Sequence, residues 1–310
     1  MQKEIGGFIE LDFSSRQQQF YKNVYKFNLA RHAINILIEK RKYKKIYIPK
    51  YFTPTVTDNL KIPHEKYNVD NNFYPILKIN KLKKNEAILY PNYFGINDKN
   101  VNKLTKIFKN IIIDNVHAFY QKKNFQDTIY SPRKFFGVPD GAYLKTKKKL
   151  KLNLERDISY KRFLPFIKKN ELGSNRSYKE YQDVEKQLNK VGPKKMSLLT
   201  KKILTSINYR EIKKIRIRNF SFLHERLKYR NEIKINILNS SVPMVYPYLN
   251  KKNKIEKLIN KKIYIPKYYP GSKKFLSKTS FENSLIDHLI CIPIDHRITI
   301  KDLQFILKTI

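Results

Sequence analysis

The stretch IIIDNVHAFYQKKNFQDTIYSPRKFFGVPDGAYL, residues 111–144, contains two strand-like runs that each end at polar side chains. Three isoleucines precede Asp114, and the run DTIY precedes Ser131 and Lys134. An apolar run without alternation is typical of a strand whose two faces are both covered, as in a parallel sheet. Ligands bind such sheets beyond the carboxyl ends of the strands, where loops gather polar groups. We therefore expect Asp114 and Lys134 to lie at a ligand site.

Strand and helix patterns alternate along the first part of the chain. Apolar residues at helical spacing predict a helix over 25–42, and β-branched and aromatic residues predict strands at 44–49, near 74–79 and at 87–90. A further amphipathic pattern over 97–110 leads into the isoleucine strand. This alternation predicts an α/β fold in which a large, mostly parallel sheet carries helices on both faces.

The length of the chain favours two domains. Its 310 residues exceed the usual size of a single hydrophobic core, so we expect one large domain with a smaller companion. Residues from about 152 to 227 read as long amphipathic helices and are interpreted as a connector within a large domain of residues 1–227. Strand and helix patterns then alternate again, with IYIPKYY at 263–269 read as a strand. We therefore predict a small C-terminal α/β domain at 228–310.

The formal net charge is +39, which would attract nucleic acid or an anionic membrane surface without specificity. Lysine, asparagine, isoleucine, tyrosine and phenylalanine are all abundant, however, and these are the residues of A/T-rich codons. The lysines are spread over the whole length and form no single arm or stripe. We therefore favour codon bias as the origin of the charge and keep, as the alternative function, a catalytically inactive basic protein of the same fold that binds nucleic acid or anionic surfaces.

Cysteine usage and hydropathy point to a soluble, cytoplasmic protein. The single Cys291 excludes an intramolecular disulfide framework and a cysteine-rich zinc site, and no metal site is expected. The N-terminal residues MQKEIGGFIELDF lack the basic and apolar regions of a signal peptide, and no apolar run of about 18 residues occurs. We expect no membrane association.

The polar residues after the predicted strands match the parts of a pyridoxal phosphate site. Such a site needs a lysine amine, a carboxylate that keeps the pyridine nitrogen protonated, and backbone amides that hold phosphate at a helix N-terminus. Lys134, Asp114 and the turn Ala30-Arg31-His32 have these chemical properties. This pattern favours an enzyme that uses the cofactor.

Four stretches resemble the DegT/StrS-type sugar aminotransferases, which have the aspartate aminotransferase fold. They are IIIDNVHAFYQK, YSPRKFFGVPDGAYL, LARHAINILIEKRKYKKIYIPKY, and VPMVYPYLNKKNKIEKLINKKIYIPKYYP with the later ICIPIDHRIT. The motif order extends from Gly6-Gly7 to the C-terminus. The resemblance implies a pyridoxal phosphate-dependent aminotransferase that takes an amino-acid donor, such as glutamate, and a nucleotide-linked keto-sugar acceptor. It also implies a homodimer.

The resemblance also implies roles for three residues in the best-matched region. Lys134 is the Schiff-base lysine and moves the proton between substrate and cofactor. Asp114, some twenty residues earlier, is the partner of the pyridine nitrogen. His117 either contacts the ring hydroxyl or is a loop histidine satisfied by its surroundings, and the sequence leaves both readings open.

The remaining cofactor contacts are implied more by position than by motif. The helix start at Leu29-Ala30-Arg31-His32 lacks the Gly-Thr or Gly-Ser pair that the family often has, so phosphate would be held by amides, Ser131 and the charge of Arg31. Arg31 and His32 are equally well read as ordinary helix residues. Tyr51 follows a predicted strand at the position where this fold often stacks a ring on the cofactor, and Tyr93 and Gly6-Gly7 lie where the family builds its substrate pocket.

Overall fold

The computed structural model describes residues 11–14, 19–79, 81–122, 127–252 and 255–310. The strands are β1 Tyr25–Phe27, β2 Lys45–Pro49, β3 His64–Val69, β4 Pro75–Ile76, β5 Glu86–Pro91, β6 Ile111–Asn115, β7 Asp127–Tyr130, β8 Ala142–Thr146, β9 Val245–Leu249 and β10 Leu289–Pro293. The helices are α1 Ala30–Arg41, α2 Pro54–Thr57, α3 Asp98–Ile107, α4 Leu164–Lys190, α5 Leu198–Thr205, α6 Tyr209–Leu227, α7 Ile255–Asn260, α8 Phe281–His288 and α9 Ile300–Thr309.

The main sheet has eight strands in the order β1-β8-β7-β6-β5-β2-β3-β4. Strands β7, β6, β5, β2 and β3 are parallel to one another. Strand β8 is antiparallel to both of its neighbours, and β4 is antiparallel to β3. Because the central strands run in one direction, their carboxyl ends lie along one edge of the sheet, as the sequence predicts.

Alternate side chains of the central strands enter two separate cores. Ile112 and Leu89 pack with Ile34 and Leu37 of α1 on one face. Ile113 on the opposite face belongs to a larger core that also contains residues of the C-terminal elements. Both faces are therefore covered, which explains the unbroken apolar runs at 87–91 in β5 and 111–113 in β6.

The predicted helix over 25–42 is wrong at its N-terminal end. Tyr25–Phe27 forms β1, which pairs with Ala142 to Leu144 of β8, and the helix begins at Ala30. The strand pairing overrides local helical spacing because its partner lies more than a hundred residues away in the sequence. Strand β3 lies outside the predicted strands, and the strand predicted near 74–79 is reduced to Pro75–Ile76.

The region predicted as helical, from about 152 to 227, contains α4, α5 and α6. Helix α4 is broken at Gly173, whose φ of 80° and ψ of 177° are not helical. The two halves fold back on each other, since Lys168 pairs with Glu180 and Phe166 contacts Tyr181 across the break. In the described part of the chain, no helix combines the length and the apolar character needed to cross a membrane.

The C-terminal elements include a two-stranded antiparallel sheet of β9 and β10 with helices α7, α8 and α9. The strand predicted at 263–269 does not form, because Tyr268 and Tyr269 turn inward and Tyr269 has a left-handed backbone with φ of 56°. The sequence indicates two helices for this part, whereas the structure has three in its described residues, α7, α8 and α9. The domain division at 227 and 228 stays a prediction.

Gly95 joins the main sheet to the C-terminal part. Its φ is +73°, and an added Cβ would lie 2.6 Å from the carbonyl oxygen of His117 and 3.2 Å from Pro243. We predict that Gly95→Ala lowers the free energy of unfolding by about 1–3 kcal/mol, because the strained backbone and the clash add. Urea unfolding measures this loss. Gly192→Ala is the matched control, since a Cβ added at Gly192 meets nothing within 4 Å. Equal stability of both variants would contradict the predicted strain and clash at Gly95.

Candidate active site

Asp114 and Lys134 both lie at the carboxyl edge of the parallel strands. Asp114 is the fourth residue of β6 and pairs in register with Ile129 of β7. Strand β7 ends at Tyr130, and Ser131 leads into a 3-10 turn over Pro132–Lys134. Adjacent parallel strands therefore bring the carboxylate and the amine to the same edge, and the two groups affect each other's pKa.

The Asp114 carboxylate is buried with little compensation. It accepts one hydrogen bond, from the Val116 amide at 2.9 Å, and forms no ion pair with a described residue. Burial is the main cause that raises the pKa of Asp114 to about 7, whereas the Val116 amide and the positive charge of Lys134 lower it. No described residue places a cation in contact with the Asp114 carboxylate. The carboxylate is therefore suited to bind a cationic group of a ligand.

The Lys134 amine is open to solvent and yet crowded by protein. Its side chain is exposed, but protein atoms surround the amine closely enough that loss of water is the main cause that lowers the pKa of Lys134. The neighbouring charge of Arg133 lowers it further, while Glu185 and Asp114 raise it. A lowered pKa favours the free amine, which is the nucleophilic form.

His117 lies among aromatic rings beside this pair. Its ring stacks on Tyr269, at 6.0 Å between centroids and 5° between planes, and Tyr268 meets it edge-on at 5.0 Å. The Tyr269 hydroxyl is 3.4 Å from His117 Nε2. Burial, followed by the charge of Lys134, lowers the pKa of His117 to about 3, so the imidazole is neutral at pH 7.

Tyr51 is fully buried at the carboxyl side of β2. Its ring stacks on Tyr93 at 5.7 Å and meets Tyr269 edge-on at 5.0 Å. The Tyr93 hydroxyl donates to the Tyr51 carbonyl at 2.9 Å, so Tyr93 is fixed in the core. The Tyr51 hydroxyl, in contrast, has no hydrogen-bond partner among the described residues. A buried unpaired hydroxyl costs about 1–3 kcal/mol, which makes it a candidate ligand contact.

The predicted phosphate contacts lie at the start of α1 and at Ser131. The amides of Ala30 and Arg31 form no hydrogen bond with the rest of the described chain. The Arg31 guanidinium donates to the carbonyl of Leu188, and His32 Nδ1 is 2.7 Å from Asn28 Oδ1. Burial lowers the pKa of His32 to about 4, so this histidine is neutral at pH 7.

The second half of α4 covers this helix start. Leu29 packs with Val184 and Leu188, and Arg133, next to the amine, forms an ion pair with Glu185. Ser131 is buried, with its hydroxyl 3.4 Å from the Gly141 carbonyl. The candidate site is therefore bounded by the sheet edge on one side and by α4 on the other.

Three residues near the site were missed by sequence reasoning. Tyr269 and Glu185 come from segments far from Asp114 in the sequence, and Arg216 lies on a helix that reads as a polar connector. The Pro270-Gly271 turn after two tyrosines is the one local signal that could have marked Tyr269.

Some predicted features lie beyond what the structure describes. Gly6-Gly7, placed at the substrate pocket by the resemblance, falls outside the described residues. Among the residues that are described, no three His, Cys, Asp or Glu side chains are grouped so that they could hold a metal ion.

Solved structures that are similar to this chain include sugar aminotransferases. A DegT/DnrJ/EryC1/StrS aminotransferase from Brucella abortus is 12% identical with a TM-score of 0.63, over 93% of this chain and 85% of that one. Spr1654 from Streptococcus pneumoniae, a candidate sugar aminotransferase in its PMP form, is 12% identical with a TM-score of 0.62, over 92% and 86%. DesI in the presence of its TDP-sugar product is 10% identical with a TM-score of 0.59, over 93% and 79%.

These similarities confirm the predicted fold. The chain has the aminotransferase architecture of a large, mostly parallel sheet with helices on both faces. The chain matches no protein-family model and no curated protein sequence.

The raised pKa of Asp114 predicts a stability cost that depends on pH. An unfolded aspartate ionises near pH 4 and the folded one near 7, so the folded state binds more protons between these values and its stability falls as pH rises. In the cofactor-free protein, Asp114→Asn should be more stable than wild type at pH 8 by up to about 4 kcal/mol, with the difference vanishing near pH 4. Urea unfolding at both pH values measures it.

Asp157→Asn is the matched control for this prediction. Asp157 is also buried, but it pairs with Arg162 at 2.9 Å. Its replacement leaves a buried arginine unpaired and should destabilise the protein at pH 8 by about 3–5 kcal/mol. Destabilisation by Asp114→Asn at pH 8 would show that the Asp114 charge is already compensated.

Proposed function

We propose that this protein is a pyridoxal phosphate-dependent aminotransferase that transfers an amino group to a nucleotide-linked keto-sugar. The observation that carries the proposal is the pair formed by a buried, uncompensated carboxylate, Asp114, and an accessible, crowded amine, Lys134, at the carboxyl edge of this fold. Glutamate is the first amino donor to test. The inactive nucleic-acid binder is not favoured, since the structures of the same fold are enzymes.

The residues present fit the cofactor at its ring more fully than at its phosphate. The Asp114 carboxylate lacks a cation in contact, as a partner of a protonated pyridine nitrogen should. The amides of Ala30 and Arg31 and the positive end of α1 suit a phosphate group, but the first turn offers no hydroxyl and Arg31 is engaged with Leu188. Side-chain contacts to the phosphate from Arg31 or Ser131 would thus require Arg31 to leave the Leu188 carbonyl or Ser131 to leave the Gly141 carbonyl.

The cofactor, when bound, supplies a conjugated ring that accepts the electron pair of the substrate carbon. Lys134 would hold the cofactor through its amine and then move the proton at the substrate carbon as general base and acid. Asp114 would keep the ring nitrogen protonated. His117 is neutral and can exchange one hydrogen bond with the ring hydroxyl, while Tyr51 and Tyr269 would exclude water beside it.

The sugar acceptor rests on similarity of fold. DesI was solved in the presence of a TDP-sugar product, and Spr1654 in PMP and PLP forms. We extend the substrate class and the cofactor to this chain as part of the proposal. We also retain as proposals a large domain at 1–227, a small one at 228–310, and a cytoplasmic location.

Lys134 should be the lysine that reacts with the cofactor. We predict that substoichiometric pyridoxal phosphate followed by borohydride fixes the added mass on the Lys134 peptide, because the lowered pKa of Lys134 leaves more of its amine unprotonated and the nearby Asp114 carboxylate offers a partner for the cofactor ring. Peptide mass spectrometry locates the label. Lys134→Ala should lose both this label and transamination with glutamate. Lys147 is an exposed lysine near the end of β8, and the control variant Lys147→Ala should keep both. Label spread evenly over lysines would refute the assignment.

The protein should form a homodimer whose stability rises with moderate salt. Fold-related enzymes commonly complete their sites across a two-fold axis, and cyclic dimers are the commonest soluble oligomers. Two copies at +39 each repel at low ionic strength, so the interface must be apolar or must pair charges locally. Light scattering at several salt concentrations tests this, and a strict monomer with full transaminase activity would contradict it.

A further inference from the structure

Arg133, the residue before Lys134, is only partly engaged by its acidic partner. One terminal nitrogen of its guanidinium pairs with the carboxylate of Glu185, whose side chain is 41% exposed. The Arg133 Nε is buried and has no partner among the described residues. Arg41 makes a contrasting structural pair, since its Nε and Nη2 both donate to Asp127, at 2.9 and 2.7 Å, and the Asp127 side chain is 4% exposed. Arg133 therefore has donor capacity that its pair with Glu185 does not use.

Helix α4 places Arg133 beside Arg31 at the start of α1. Glu185, which pairs with Arg133, lies one helical turn before Leu188 and Asn189, which accept hydrogen bonds from Arg31. Residues three and four apart share one face of a helix, so the two guanidinium groups lie along the same stretch of α4. Burial, followed by the positive charge of Arg133, accordingly lowers the pKa of Arg31. Two cations thus stand at a helix start whose first two amides form no hydrogen bond with the rest of the described chain.

The Glu185 carboxylate supplies negative charge to these cations. It acts to raise the pKa of both Arg31 and Lys134, whereas the charge of Arg133 acts to lower both. An ion pair with an exposed partner contributes little to stability. A phosphate group carries more negative charge than a carboxylate and can accept two parallel hydrogen bonds from one guanidinium. A phosphate at this position would therefore interact with Arg133 more strongly than Glu185 does.

The second half of α4 is attached to the site by a small apolar contact. Val184 and Leu188 form with Leu29 a cluster of three buried residues that is separate from the two larger cores. The helix is broken at Gly173, where an added Cβ would meet nothing within 4 Å. Glu185 can therefore leave its partner without disturbing the main cores.

We propose that Arg133 is a side-chain contact of the cofactor phosphate, and that Glu185 occupies its guanidinium in the cofactor-free protein until the phosphate replaces it. Glu185 is thus an internal competitor of the ligand. This inference rests on the proposed function, because it takes pyridoxal phosphate as the ligand. It supplies the charged contact that the first turn of α1 lacks while Arg31 is engaged with Leu188.

The test is calorimetric titration of the cofactor-free full-length protein with pyridoxal phosphate and with pyridoxal, which lacks the phosphate. We call the Kd for pyridoxal divided by the Kd for pyridoxal phosphate the phosphate preference. Arg133→Gln should lower it at least about tenfold, which corresponds to about 1.4 kcal/mol. The effect of Arg133 on the Lys134 amine is present with both ligands and cancels in the ratio. Arg176→Gln removes the same charge from an exposed position of α4 and should leave the ratio unchanged.

Glu185→Gln should change the phosphate preference in the opposite direction. Loss of the competing charge should raise it about two- to fivefold, the range expected for an exposed ion pair. A carboxylate that only holds α4 in place would give no such increase. Asp183→Asn is the matched control, because Asp183 is 51% exposed and pairs with Lys186 of its own helix at 3.5 Å. This control should have the phosphate preference of wild type.

The double variant Arg133→Gln/Glu185→Gln separates competition from a general effect of charge. If Glu185 acts through Arg133, the double variant should have the phosphate preference of Arg133→Gln alone. An equal increase from Glu185→Gln with and without Arg133, or an unchanged preference in Arg133→Gln, overturns the proposal. These titrations do not use transamination. The expected pattern of binding without transamination would refute the proposed function alone, whereas an active aminotransferase whose phosphate preference is unaffected by Arg133→Gln would refute the Arg133 assignment alone.

Discussion

The negative charge of Asp114, fixed in the middle of a parallel sheet without a cation in contact, is the constraint on which the site depends. Strand β6 lies between β7 and β5, so the sheet holds the carboxylate in place and removes it from water. A buried ion of this kind is unfavourable unless something binds it. The buried charge lowers the stability of the protein but leaves the Asp114 carboxylate able to bind a cationic group. Such a local cost is typical of functional sites in otherwise consistent folds.

The two buried arginines show how differently this protein treats positive charge. Arg162 is paired with Asp157 at 2.9 Å, although its Nε, like that of Arg216, has no partner among the described residues. Arg216 donates to the Met244 carbonyl, lies against the Phe135 ring and forms no ion pair with a described carboxylate. Most of the remaining cations are exposed and scattered, so the large net charge by itself identifies no site. Position relative to acidic partners distinguishes a structural cation from one that can receive a ligand.

The parallel sheet and the placement of Asp114 and Lys134 at one edge of it could be predicted from sequence, because apolar strands followed by polar residues are local signals. The strand state of Tyr25–Phe27 could not, since it depends on pairing with β8. The approach of Tyr269 to His117 likewise requires the tertiary fold, and its left-handed backbone is hidden in a run that reads as a strand. Glu185 was unpredictable for the same reason: helical periodicity locates its helix but does not indicate which surface that helix covers.

The order of strands in the main sheet also determines when the protein can fold during its synthesis. Strand β1 leaves the ribosome well before its partner β8, which follows more than a hundred residues later. The core on one face of β5 and β6 additionally includes Val242 and Met244. A nascent chain therefore presents apolar strands without their cover for most of translation, and such long-range topologies fold slowly and expose aggregation-prone surface.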